Sequence, residues 1–159
     1  MWYVLQTITG REEELVHYIE EIVPKELYTD CFVAYYERVW RKQQESVVHV
    51  ERLFPGYVFV QTQAPETLFY QLKKVLKLSK LLSDGEEEFL PVREDEQEFL
   101  ESLITVEEKD GKEVYLVKRS EIQVDEEGNI VWAGTPLSRY IGNVVRKRIR
   151  KRYVVIEKE

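Results

Sequence analysis

The segment Leu53-Phe54-Pro55-Gly56-Tyr57-Val58-Phe59-Val60-Gln61 constrains this chain more than any other. Proline followed by glycine suits the central pair of a type II turn, with proline presetting φ and glycine supplying the positive φ. The turn delivers the chain into a continuous apolar strand, Tyr57 to Val60. Alternation along that strand puts Tyr57 and Phe59 on one face and Val58 and Val60 on the other.

The rest of the first half falls around this strand. Trp2-Tyr3-Val4-Leu5-Gln6-Thr7-Ile8 is rich in β-branched and aromatic residues and reads as a strand, broken at Thr9-Gly10. Leu15, Tyr18, Ile19 and Ile22 then recur at helical spacing, with Glu12, Glu13 and Glu14 in the first turn and Pro24 as a stop. A second strand is expected from about Asp30 to Trp40. A polar stretch, Arg41 to Ser46, joins it to the alternation Val48, Val50, Leu53, a hairpin whose turn lacks glycine. Pro65 opens a helix with Leu68, Phe69, Leu72 and Leu76 on one face. Asp84-Gly85 reads as a turn, Pro91 as a stop, and Glu94 to Leu103 as a short acidic helix with Phe99, Leu100 and Leu103 inward. This β-α-β-β-β-α order predicts a split β-α-β sheet with helices on one face and the other face open.

After Leu103 the pattern changes to short strands. Asp110-Gly111 marks a hairpin between Ile104-Val106 and Val114-Val117, and Glu127-Gly128-Asn129 a turn before Ile130-Val131-Trp132. Val144-Val145 and Tyr153-Val154-Val155-Ile156 complete a set that predicts a small SH3-like barrel. The fold class is therefore α+β: a split β-α-β domain of ferredoxin or RNP type with an antiparallel sheet, followed by an SH3-like β-barrel. No stretch approaches the ~20 apolar residues of a membrane-spanning helix, and no membrane partner is expected.

The formal net charge is −7 and the pI about 5.1, which at face value argues against nucleic acid. The distribution weakens that objection. Residues 35–80 carry 8 basic and 4 acidic side chains, whereas residues 81–107 carry 1 basic and 10 acidic. Arg139 to Arg152 holds seven basic residues and no acid. Arg38, Arg41 and Lys42, with Lys73, Lys74 and Lys77, suit phosphate contact, but taken alone they suit ordinary solvation of a hairpin and a helix better. For Arg146, Lys147, Arg148 and Arg150, which lie between two predicted strands as a basic hairpin turn, phosphate contact and plain solubility stand equal.

Catalytic chemistry finds no footing. There is no glycine-rich phosphate loop, nucleophile elbow or histidine pair at metal spacing. His17 and His49 read as structural residues, Cys31 as a small core residue, and Glu86-Glu87-Glu88 as a solvated loop. No enzyme activity, cofactor or metal is expected. Aromatics are dense between Tyr3 and Phe59; half of them must fill the sheet core, and on an open sheet face the others suit equally a structural role or a protein-binding patch or base-stacking surface.

Trp2-Tyr3-Val4-Leu5-Gln6-Thr7, the glutamate-rich first helix and Leu53 to Val60 together resemble the N-terminal (NGN) domain of NusG-type transcription elongation factors. Gly134-Thr135-Pro136-Leu137, Ile141-Gly142-Asn143-Val144, the basic turn and Tyr153 to Ile156 resemble the family's KOW domain, with Thr135 interrupting the usual Gly-Pro pair. Cys31-Phe32-Val33, Tyr36-Glu37-Arg38 and Lys80 to Glu87 are similar to specialised LoaP-type antiterminators. The resemblance implies an NGN domain over 1–106, a connector over 107–120 and a KOW domain over 121–159, shortened where relatives continue for a further strand.

The resemblance also implies a bacterial, cytoplasmic, monomeric factor that suppresses pausing and termination and recognises a leader RNA hairpin. Tyr3, Phe54, Pro55, Tyr57 and Phe59 would form the concave patch that docks on the clamp helices of the largest RNA polymerase subunit. Arg38, Arg41, Lys42, Lys73, Lys74 and Lys77 would hold RNA or non-template DNA. The KOW domain would meet the ribosome or a termination factor. A housekeeping elongation factor without specific RNA recognition, and a polymerase-independent RNA-binding module, are the alternatives.

Overall fold

The computed structural model describes residues 1–82 and 89–157, with the side chain of Arg41 outside the description. The first half runs β1 (Trp2–Gln6), α1 (Glu12–Ile22), β2 (Asp30–Phe32), β3 (Ala34–Lys42), β4 (Glu45–Arg52) and β5 (Tyr57–Gln61). It continues through α2 (Pro65–Lys74), α3 (Leu76–Ser79), β6 (Phe89–Pro91) and α4 (Glu94–Leu103). The second half holds β7 (Ile104–Lys109), β8 (Lys112–Val117), β9 (Ile122–Val124), β10 (Ile130–Ala133), β11 (Val144–Arg148) and β12 (Tyr153–Ile156). The expected turn at Asp84-Gly85 and the run Glu86-Glu87-Glu88 lie outside the described residues.

The Pro-Gly turn forms as the sequence predicts. Gly56 has φ +86°, and the Tyr57 N–H donates to the Phe54 carbonyl at 3.1 Å. A Cβ on Gly56 would come within 3.2 Å of Thr9 Oγ1, so glycine is needed for space as well as for φ. From that turn β5 enters the centre of a four-stranded sheet ordered β2-β5-β1-β6, every neighbouring pair antiparallel. α1 connects β1 to β2, and α2 and α3 lie between β5 and β6, so two β-α-β units interleave as a split β-α-β sheet.

The two faces of this sheet bury different side chains. Leu5, Val58 and Val60 meet Leu15 and Ile19 of α1, Leu68 and Leu72 of α2, and Leu78 of α3, all fully buried. Each contributes about 1.5–3 kcal/mol through removal from water. The opposite face carries Trp2, Phe32 and Phe59, whose ring centroids lie 5.2–5.8 Å apart. This face is not open as expected. α4 lays Leu100 over it, and Tyr115 of β8 stacks on Phe32 at 3.9 Å. The Gln97 amide oxygen accepts the Trp2 N–H at 3.0 Å and ties α4 to β1.

The predicted strand Asp30 to Trp40 is two strands in two sheets. β2 pairs with β5, whereas β3 pairs with β4 and, in parallel, with β8, giving a second sheet ordered β4-β3-β8-β7. The chain changes sheets at Val33. Phe32 and Ala34 bury into the aromatic face and Val33 into the helical one, so an unbroken apolar run conceals the junction. The β3–β4 hairpin forms without glycine, because Gln43 and Gln44 take φ of +51° and +68°. The Asp110-Gly111 hairpin forms as predicted, but it extends the second sheet through β3 and so joins the first half of the chain. Beyond it, β9–β10 and β11–β12 pair as two two-stranded sheets.

β6 is a strand where the sequence pattern suggests only a stop at Pro91. Phe89 stacks between Tyr3 of β1 and Phe69 of α2, at 4.9 and 5.2 Å, and this three-ring ladder fastens the sheet edge to the helix. No described helix is long and apolar enough to cross a membrane.

Glu12 is fully buried. Its carboxylate accepts the N–H groups of Gly10 and Gly56 and pairs with Arg52 Nε at 2.9 Å. Replacing it by alanine leaves the Gly10 and Gly56 N–H groups without this acceptor and removes one of the two carboxylates on Arg52. Glu12→Ala should therefore lower unfolding free energy by about 2–4 kcal/mol in urea titrations, and Glu12→Gln should recover only part of this.

Glu13 sits on the same arginine, 2.8 Å from Nη2, and accepts the Tyr35 hydroxyl at 2.7 Å. Arg52 foremost, then Tyr35, holds the Glu13 carboxyl down to about 2. A folded-state value below the unfolded one stabilises at pH above the ordinary carboxylate range. That stabilisation is lost as pH falls towards 2. Unfolding free energy should drop between about pH 5 and 2, and Glu13→Gln should flatten that part of the profile.

Candidate functional site

A groove of about 480 Å³ opens on the aromatic face, beside the part that α4 covers. Val4, Phe59 and Leu90 form its floor, from adjacent strands in register: Val4 lies opposite Phe59 on one side and Leu90 on the other. Phe54 and Tyr57, at the two ends of the Pro-Gly turn, form one wall, with rings 6.5 Å apart. Phe99 and Leu100 of α4 form the other. Gln6 and Glu96 are the polar groups at its margin. A concave apolar surface with aromatic walls and a sparse polar rim suits the apolar stripe of a helix.

The five residues expected to form one patch divide four ways. Phe54 and Tyr57 line the groove wall, and Tyr57 is 36% exposed. Pro55 is exposed at the turn, outside the lining. Phe59 lines the floor but is only 3% exposed, packed against Trp2, Phe32 and Phe54. It is a core residue with one edge to the groove. Tyr3 lies on the opposite face, because it stands across from Val60 and its ring stacks on Phe89. Sequence alternation already separated Tyr57 and Phe59 from Val58. It could not align β1 with β5, and that register decides Tyr3. Leu90, Phe99 and Leu100, which complete the groove, come from a missed strand and from a helix read only as core.

The basic residues also separate. Arg38 lies 4.5 Å over the Trp40 ring and 3.5 Å from the Glu51 carboxylate, so its charge is already engaged. Lys42 is exposed at the hairpin end, across from Glu45; the side chain of Arg41 is outside the description. Lys73, Lys74 and Lys77 lie over the rings of Phe69, Tyr70 and Tyr18 at 5.3–5.9 Å. They belong to α2 and α3 on the helical face of the first sheet, whereas Arg38 and Lys42 stand on the second sheet. Arg146, Lys147 and Arg148 are exposed on β11, and Arg150 is exposed in the turn that follows.

The C-terminal part touches the groove helix. Tyr140 meets Phe99 edge-on at 5.0 Å and hydrogen-bonds Ser102 Oγ, while Arg139 donates to the Ser102 carbonyl at 2.7 Å. Burial raises the Cys31 thiol well above its usual range, as expected of a core cysteine and not a reactive one.

Residues 1–101 match the family described as "Transcription termination factor nusG". The match spans more than half of the chain, and the chain belongs to the NusG family. Members of this family are non-enzymatic transcription elongation factors, and they typically bind RNA polymerase. A search of curated proteins returned no match.

The burial difference between the two groove aromatics is measurable. Phe59→Ala should cost about 3–5 kcal/mol of unfolding free energy, whereas Tyr57→Ala should stay within about 1 kcal/mol of the parent.

Proposed function

We propose that the protein is an antitermination-type elongation factor of the cytoplasm that docks on the clamp helices of the largest RNA polymerase subunit through the Phe54–Tyr57–Phe99 groove. The observation that carries this reading is the groove itself: concave, apolar, walled by two separate elements and floored by a rigid sheet. Two helices of a coiled coil present the kind of ridge such a groove accepts. Bridging the polymerase cleft would favour the elongating over the paused state, by as much as the factor binds the former better. The C-terminal strands, read as a KOW domain over residues 121–159, would meet a second component such as the ribosome or a termination factor. Residues 1–106 would act as the NGN domain and residues 107–120 as the connector, with the β7–β8 hairpin bracing the first domain through β3.

Recruitment by a leader RNA hairpin is the finer part of this proposal, with Lys42, Lys73, Lys74 and Lys77 as phosphate contacts. The engagement of Arg38 by Glu51 and Trp40 favours a second reading, an elongation factor that needs no specific RNA. A titration with leader hairpins and scrambled controls separates the two: equal affinity with equal salt dependence selects the second.

The polymerase reading is tested by comigration with core polymerase and by readthrough of a terminator in vitro. Tyr57→Ala should weaken polymerase binding at least about tenfold, the loss expected of an exposed aromatic anchor. Its melting temperature should stay that of the parent. Unchanged affinity in that variant and in Phe54→Ala would reject the groove as the docking site.

A further inference from the structure

The basic residues of β11 and its turn differ from Arg38 and Arg52 of the first half, which are ion-paired with glutamates. Among the described residues, Arg146, Arg148, Arg150, Lys151 and Arg152 make no ion pair. No acid occurs between residues 139 and 152. The β11–β12 register sets Arg146 opposite Val155 and Arg148 opposite Tyr153, and directly opposed residues of antiparallel strands share a face. That face therefore carries two guanidinium groups beside a tyrosine ring that is 41% exposed. The turn ends at Arg152, in the left-handed region at φ +64°, and displays Arg150 and Lys151 at the hairpin tip. Lys147 points to the other face and donates to Asn129 Oδ1 at 3.0 Å, so the basic run is sorted by the strand into an unpaired side and a tethered one.

We infer that the Arg146–Arg148–Tyr153 face of the C-terminal hairpin binds single-stranded RNA, with a base stacked on Tyr153 and the flanking phosphates on the arginines. An exposed ring between guanidinium groups offers what an unpaired strand needs, since duplex bases keep their faces stacked internally. The net charge of −7 over the whole chain opposes indiscriminate capture of polyanions, so binding depends on this local constellation. The choice of RNA rests on the transcription reading above, in which the nascent transcript is the unpaired polymer at hand.

The test uses the full chain and a fluorescein-labelled mixed-sequence RNA of about twelve nucleotides, followed by anisotropy over a salt series. Tyr153→Ala should weaken binding at least about fivefold, and Tyr153→Phe should restore it to within about twofold. The combined Arg146→Ala, Arg148→Ala and Arg150→Ala variant should reduce the slope of log affinity against log salt by about two. Lys147→Ala, on the opposite face, should lose no more than about threefold. Three outcomes would each overturn the inference: parental affinity in Tyr153→Ala, equal losses in Lys147→Ala and Arg148→Ala, or equal binding of a duplex of the same length or of anionic vesicles. The polymerase reading fails separately. Tyr57→Ala should keep parental RNA affinity while losing polymerase, and Tyr153→Ala should comigrate with polymerase as the parent does.

Discussion

One buried carboxylate organises the first half of the molecule. Glu12, at the start of α1, reaches the loop after β1 through Gly10, the Pro-Gly turn through Gly56, and the end of β4 through Arg52. The Pro-Gly turn lies 44 residues from Glu12 in sequence, and its Gly56 N–H is a buried donor that this carboxylate satisfies. The turn that Glu12 steadies sets where β5 begins. The β5 register then decides which aromatic residues face the groove. A charge at the sheet-helix junction thus connects local turn chemistry to the shape of the functional surface.

The second dependence is the aromatic layer of Trp2, Phe32, Phe59 and Tyr115. It joins β1, β2, β5 and β8, and so fuses the split β-α-β sheet to the second sheet. α4 and β8 cover part of this layer, and the strip between the Pro-Gly turn and α4 stays open. The groove is therefore an uncovered part of this face, with its floor held rigid by the same rings that stabilise the fold. Contact of Tyr140 and Arg139 with the end of α4 places the C-terminal part beside one groove wall.

Much of this was legible in the residues. The Pro-Gly turn, the apolar face of α1, Leu68 and Leu72 of α2, the acidic helix α4 and the Asp110-Gly111 hairpin follow from local patterns of spacing and turn chemistry, whereas Leu76, expected on the same face as Leu72, is exposed at the start of α3. The break at Val33 was not legible, because Phe32, Val33 and Ala34 are all apolar and buried on alternating sides. β6 was hidden by its length of three residues and by the proline that ends it. Glu12 and Glu13 read alike, as first-turn acids suited to the helix dipole. Only the approach of Arg52 from β4 separates a buried structural carboxylate from a half-exposed one.

The charge pattern divides the same way. Sequence alone determined that the basic residues cluster at 35–80 and 139–152, that apolar periodicity supports a split β-α-β sheet, and that no catalytic constellation is present in the chain's motifs. Tertiary structure decided which of those charges are already satisfied and which aromatics are reachable. Arg38 is taken up by Glu51 and Trp40, Tyr3 by Phe89, and Phe59 by the core, while Tyr57, Arg148 and Tyr153 remain exposed. The physical reason is that spacing along a strand fixes only which residues share a face. Pairing register and the elements packed above determine whether that face meets water, a partner or the protein's own interior.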